Sequence, residues 1–229
     1  MTTGATKLRS TWRYTSVFLL MLGLAGCSNL LTSRAEAPVT YVIRPAFTAI
    51  ERTASAPTGT SSGIAVQLIA VDVAPGYATA NILATRPDRV LDVFAASRWA
   101  DELPRVVGDL ALEALRVSGG LEAFPSTAAV ATTHALRLSV RRFDAEYRTE
   151  GAAPVIRVLV DAVVTRRSDR QALGSFTVDL AIPASANRMS AIVAAFEKAT
   201  GSALERVAEG TKGIIEMAPD RHRTETVSP

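Results

Sequence analysis

The chain has 229 residues, 25 Lys plus Arg against 22 Asp plus Glu, and a single cysteine. Lys7, Arg9 and Arg13 are the only charges in the first 27 residues, so the remainder balances at 22 against 22 and offers no concentrated basic surface for nucleic acid. One cysteine cannot close an internal disulfide, so the fold must stand on an apolar core, for which about 150 ordered residues suffice.

Behind the three positive charges, Val17 to Gly26 is apolar throughout. It is shorter than the roughly 20 residues a spanning helix needs, and reads as an export signal. The run closes on Leu24-Ala25-Gly26-Cys27, the pattern of a bacterial lipobox. Cleavage after Gly26 makes residues 1–26 a signal peptide and leaves Cys27 to carry a diacylglyceryl thioether and a further acyl chain on nitrogen. An ordinary secretory signal with a cysteine at its cleavage site is the plainer alternative, but Leu24, the small residues at 25 and 26 and the lack of a second Cys favour lipidation. Each buried methylene contributes about 0.8 kcal/mol, so one chain holds marginally while two or three anchor durably. Ser28, where an Asp would retain the protein at the inner membrane of enteric bacteria, points to the periplasmic face of the outer membrane.

Residues 27–40 are expected to form the lipidated N-terminus and a tether, and Tyr41 to Arg44, ended by Pro45, an edge strand. Residues 46–62, rich in Ser, Thr, Ala and Pro, read as a surface loop. The nearly continuous apolar run Ile64–Val73 predicts a strand covered on both faces, ended by the turn pair Pro75-Gly76. Short strands near 81–84 and 89–95 complete an expected β-meander. Leu103, Val106, Val107, Leu110, Ala111, Ala114, Leu115 and Val117 recur at helical spacing and predict a helix over about 100–118, stopped by Gly119-Gly120.

In the second half, Leu136, Leu138 and Val140 share one parity while Phe143, Ala145 and Tyr147 share the other, which predicts a β-bulge near Arg141-Arg142. Two more strands alternate through Ile156–Val164 and Phe176–Ile182, with Arg157, Asp161, Thr177 and Asp179 on the face toward solvent or a partner. A last helix is expected from an N-cap at Asn187 to about Ile215, with Gly201 costing it about 1 kcal/mol relative to Ala. Residues 217–229 read as a polar, disordered tail. The predicted fold is a single α+β domain over 41–216, a largely antiparallel sheet with two amphipathic helices packed on one face.

Little here suggests an enzyme. His134 and His222 stand apart, no Cys or His cluster has metal spacing, and no nucleophile elbow, P-loop or dinucleotide fingerprint occurs. No catalytic, cofactor-binding or metal residue is predicted, and Cys27 is the one site assigned. Asp161 and Asp179 are read as members of cross-strand ion pairs. Arg166, Arg167 and Arg170 form the densest basic patch, a solvated hairpin tip or a contact for anionic lipid.

Tyr41, the strand Ile64 to Pro75, Asn81-Ile82-Leu83 and the segment Arg98-Trp99-Ala100-Asp101-Glu102-Leu103 together resemble the auxiliary lipoproteins of ABC-type intermembrane transport systems, the PqiC-like family. The resemblance implies a periplasmic accessory that works with an MCE-domain partner, a permease and an ATPase to move lipid between envelope membranes. It leaves a homo-oligomer open. An envelope scaffold or pilot lipoprotein is the competing expectation. Trp99 is read as a core anchor in preference to a partner contact, with Arg98 bracing the same corner through Asp101 or Glu102.

Overall fold

A computed structural model describes residues 37–49 and 64–218. Cys27 and its lipobox, most of the expected loop over 46–62 and all but the start of the tail lie outside the described residues.

The longest alternating segment becomes the hub of the sheet. Strand β6 (His134–Glu146) buries Leu136, Leu138 and Val140, then Phe143 and Ala145, on one face. The register shifts where the parity of the sequence changes: Val140 pairs with Val160 and Arg142 with Leu159, leaving Arg141 as the extra residue. One edge of β6 pairs antiparallel along its whole length with β7 (Val155–Arg166), which pairs antiparallel with β8 (Ala172–Pro183).

The other edge of β6 is shared. Strand β2 (Ala65–Val73) runs parallel along His134–Val140, and β3 (Asn81–Thr85) runs parallel along Ala145 and Glu146. Residues 74–80 leave the sheet between them. Beyond β2 lies β5 (Glu122–Pro125), also parallel. Beyond β3 lie β4 (Leu91–Trp99), antiparallel to β3, and β1 (Val39–Tyr41), parallel to β4.

The fold is thus α+β with one eight-stranded mixed sheet. Its antiparallel parts are the β6–β7–β8 meander and the β3–β4 hairpin. The meander expected from the first three strands is corrected: β2 and β3 do not pair with each other, because the thirteen residues of β6 give each its own stretch of edge. The expectation for Ile64–Val73 is met only in its first half. Val66, Gln67 and Leu68 are buried, whereas Ile69 and Asp72 are exposed.

Helix α1 (Leu103–Val117) packs on β2 and β5, helix α2 (Met189–Met217) on β7 and β8, and the two helices on each other. Of the predicted stripe, α1 buries Leu103, Val107, Leu110, Ala111, Ala114 and Leu115; Val106 and Val117 are half-buried, and Leu112 is buried besides. Its stop is a left-handed Gly120, after which the Leu121 N–H returns to the Leu115 carbonyl at 3.0 Å. Asn187 does not cap α2. Arg188, in extended conformation, holds that position without a side-chain cap, and the Asn187 side chain instead accepts from the Tyr147 hydroxyl at 2.8 Å and donates to the Gly151 carbonyl.

Trp99 lies at the end of β4, where the chain turns into α1. It is 2% exposed and presents its edge to Phe143 and Phe196, with centroids at 6.2 and 5.2 Å, while those two rings stack at 5.1 Å. Three aromatic side chains from β4, β6 and α2 therefore meet at one point, each pair in a favourable geometry. Its backbone is held too: the Trp99 N–H donates to the Ala80 carbonyl at 2.7 Å and the Leu103 N–H to Thr79 at 3.1 Å.

Trp99→Ala should cost about 3–5 kcal/mol, read as a lower melting temperature with loss of near-ultraviolet ellipticity. Gly201 has a reason invisible in the sequence: a Cβ there would sit 2.8 Å from the Cβ of Pro45, where the chain after β1 crosses α2. Helix propensity alone says that Gly201→Ala gains about 1 kcal/mol. The close approach reverses that sign, and thermal melts should show the variant less stable than the parent.

Candidate functional site

On the face of the sheet away from the helices, the charged residues pair with one another. Arg137 meets Asp72 at 2.8 Å, Arg141 meets Asp161 at 3.2 Å, and Arg157 meets Asp179 at 3.1 Å and Glu146 at 3.7 Å. Asp161 and Asp179 thus sit in cross-strand pairs as the alternation predicts, and Asp72 joins them unpredicted, each pair contributing at most about 1 kcal/mol where exposed. The Asp161 carboxyl is held below the usual carboxylate range, first by the Thr177 hydroxyl, which donates at 2.7 Å, and then by Arg141.

The run of charge continues inward. Glu146 also receives Arg142 at 3.1 Å, and the same guanidinium clasps Asp144 at 3.1 and 2.9 Å. Asp144 is fully buried. Its remaining lone pairs accept from the Thr85 hydroxyl at 2.7 Å and the Tyr77 hydroxyl at 3.2 Å, so a buried carboxylate is satisfied on every side. Tyr77 comes from the 74–80 excursion, which folds over this end of β6. The Arg142 guanidinium is pushed above its ordinary value chiefly by its hydrogen bond to Asp144. Burial, then the Asp144 charge, raises the Tyr77 phenol.

Next to this cluster the β3–β4 hairpin projects from the sheet. Arg86 pairs with Asp92 at 2.5 Å, and the Asp92 carboxyl is held low first by the Val93 N–H and then by Arg86. Arg89 takes a positive φ in the turn, and so does Ala96 within a wide bulge of β4, whose pairing with β3 jumps from Leu83–Val93 to Asn81–Arg98. Because β1 covers only Ser97–Trp99, the outer edge of β4 before them is unpaired among the described residues. Val90, Leu91 and Val93 are exposed there. Between the hairpin and the β6–β7 turn lies a groove of about 520 Å³ walled by Phe94 and Tyr147, whose rings stand 6.4 Å apart. A second hollow of about 560 Å³, lined from the opposite face of the hairpin by Thr85 and Leu91, contains Arg89, Arg142 and Arg148.

Other expectations are redistributed. Arg98 does not bind Asp101 or Glu102: its Nε donates to the Trp99 carbonyl at 3.4 Å, and Asp101 pairs instead with Arg105, one helical turn on, at 3.3 Å. At the expected basic tip, Arg166 pairs with Asp169 inside the hairpin and Arg167 donates to the Gln67 side chain of β2, so two of the three arginines hold partners within the domain. His134 shares a 2.8 Å hydrogen bond with Thr133. His222 lies outside the described residues. Among the described residues no group of His, Cys, Asp and Glu could hold a metal ion. Sequence reasoning missed the buried Asp144 cluster, although a carboxylate lodged between Phe143 and Ala145 was its one signal.

With this geometry in hand, comparison with known proteins decides the family. The model of the ABC-type transport auxiliary lipoprotein component matches residues 47–208. The chain belongs to that family. Among solved structures, protein XCC0632 from Xanthomonas campestris matches with a TM-score of 0.66 at 20% identity, over 78% of this chain and 97% of that one. A second, uncharacterized protein matches with a TM-score of 0.58 at 12% identity, over 76% and 99%. At these identities the likeness concerns the fold. A comparison with curated proteins finds no match. The family is described as an auxiliary lipoprotein component of ABC-type transport systems.

Tyr77→Phe removes a donor to a buried carboxylate and should cost about 1–3 kcal/mol in denaturant unfolding at neutral pH. The Tyr77 phenol titrates above its ordinary 10.0 in the folded protein. Its contribution is therefore present below pH 10 and is lost as the pH rises through the folded value. Unfolding curves taken from pH 9 to 11 should show a steeper loss of stability in the parent than in Tyr77→Phe.

Proposed function

We propose that this protein is held at the periplasmic face of the outer membrane by acyl chains on Cys27, and serves an ABC-type lipid transport system there by docking to its MCE-domain partner. The family match over residues 47–208, joined to the lipobox at Leu24–Cys27, carries the reading. The permease and ATPase of such a system supply the energy, and this chain supplies attachment. Among the described residues no helix is long and apolar enough to cross a membrane, and anchorage through lipid fits that.

The sheet supports docking through its far end. No described strand pairs with the outer edge of β8, whose twelve residues leave one row of backbone donors and acceptors available for a partner's strand. Thr177 and Asp179 stand on the open face beside that edge.

Labelled palmitate should enter the wild-type chain and not Cys27→Ala, and the wild type should fractionate with the outer membrane. A wild-type chain that takes up no label and stays soluble removes the anchor. Photocrosslinking groups placed at Thr177 and Asp179 in cells should capture the MCE-domain protein, and deletion of the gene should lower resistance to detergents. Capture of outer-membrane assembly components alone, with envelope resistance and lipid distribution unchanged, would establish a pilot-type scaffold in place of a transport accessory.

A further inference from the structure

We propose that the outer edge of β8 takes an extended segment of a partner protein that sets a lysine or arginine against Asp179, and that Arg157 yields Asp179 to that cation and turns to Glu146. This rests on the docking reading of β8 given above and adds the chemistry of what docks. One bond fixes the phase of the edge. The Ala184 N–H donates to the Pro154 carbonyl at 2.9 Å, and hydrogen-bonded positions alternate along an antiparallel pair. The even-numbered residues of β8 therefore turn their backbone groups to β7, whereas Ser175, Thr177, Asp179 and Ala181 turn theirs outward. The side chains of those four residues are exposed on the open face. An added strand meets their amides, carbonyls and side chains together. Pro183, without an N–H, closes the row of donors.

Asp179 is the one charge in the twelve residues of β8, and its side chain is 52% exposed. Its partner Arg157 comes from β7, on the inner side, and reaches both carboxylate oxygens with Nη2 alone, at 3.1 and 3.2 Å. The pair is thus not the two-nitrogen fork in which guanidinium and carboxylate bind best. The Nε of Arg157 is buried and makes no hydrogen bond among the described residues. It stands 3.7 Å from Glu146 Oε2, just outside hydrogen-bond reach. A movement of less than about 1 Å toward Glu146 completes that bond. Arg157 therefore has a second carboxylate waiting, and Asp179 can pass to a cation from outside without leaving a buried charge unpaired. Thr177 offers no such exchange, because it donates to Asp161, which Arg141 already holds.

Charge selects the occupant. Ser175, Thr177 and Ala181 are neutral, so an incoming strand meets a single negative charge near the middle of the edge. A second copy pairing β8 against β8 brings no lysine or arginine, because β8 has none, and would leave Arg157 where it stands. A strand of a different protein with one basic residue in register and neutral residues beside it matches the edge. An acidic residue at that position would face Asp179 directly and be rejected, which makes Asp179 a determinant of register as well as of partner.

The test starts in cells, with a photocrosslinking group at Thr177 of the full chain and mass spectrometry to map the captured segment. That segment should contain a lysine or arginine, and a synthetic peptide of it should bind the purified full chain in detergent micelles. Asp179→Asn should weaken binding about fivefold and Asp179→Lys at least about tenfold, with melting temperatures unchanged. A peptide with Glu in place of its basic residue should recover binding to Asp179→Lys. Asp179→Asn, an isostere, carries the decision if Asp179→Lys loses stability. Arg157→Gln should tighten binding about fivefold, because the competitor for Asp179 is gone, and an Arg157 that served the fold alone would not do this. Capture of the MCE-domain protein with an affinity that the Asp179 variants leave unmoved overturns the cation and keeps the docking reading. Capture of another protein with the charge exchange intact keeps the cation and overturns the MCE reading. No crosslink from Thr177, a captured segment without a basic residue, or capture of a second copy of this chain overturns the proposal.

Discussion

The extra residue in β6 organises both faces of the molecule. A strand with period two that buries Leu136, Leu138 and Val140 would turn Phe143 and Ala145 to solvent, and the bulge at Arg141 returns them to the core. The same step divides the free edge of β6, since the pairing of β2 ends at Val140 and that of β3 begins at Ala145. It also sends Arg142, Asp144 and Glu146 together to the outer face. The aromatic cluster around Trp99 and the buried carboxylate under Tyr77 are thus two consequences of one insertion.

Those two clusters differ in how readily they could be replaced. The aromatic one gains from burial and dispersion and tolerates some change of shape at a cost in packing. Asp144 has no such latitude. A buried charge is stable only while its four donors hold, so Thr85, Tyr77 and Arg142 are fixed relative to one another, and with them the base of the β3–β4 hairpin and the far end of β6. The hairpin rises from a rigid foot, which lets it hold a defined shape with positive φ at Arg89 in its turn and at Ala96 in the bulge of β4.

What the sequence revealed followed the range of the interactions involved. Alternation named the bulge, the faces of β7 and β8 and their ion pairs, because cross-strand neighbours inherit the parity of each strand. Helical spacing named the buried stripe of α1. Pairing partners were another matter: β2 and β3 were expected to pair because they are consecutive, and nothing local says that both would line up on a strand some fifty residues later. The hollow that holds Arg89 and Arg148 was illegible for the same reason, since the two belong to turns brought together only by the β3–β6 pairing. Gly201 read as a cost to its helix until Pro45 was placed against it.

The strand order gives the domain two unlike ends. From β1 the sheet runs through β4, β3, β6 and β7 to β8, five spacings that put roughly 24 Å between the first strand and the last. The first described strand, β1, lies against Ser97–Trp99 at one end of the sheet, and the edge of β8 that no described strand pairs lies at the other. Under the anchorage proposed above, the acyl chains would attach at the β1 end of the sheet, and the β8 edge would be the part of the sheet farthest from that attachment. On that proposal a partner docking at β8 would have to come within a few tens of ångströms of the anchoring bilayer, a distance that a protein reaching across the periplasm would satisfy and one confined to the opposite membrane would not.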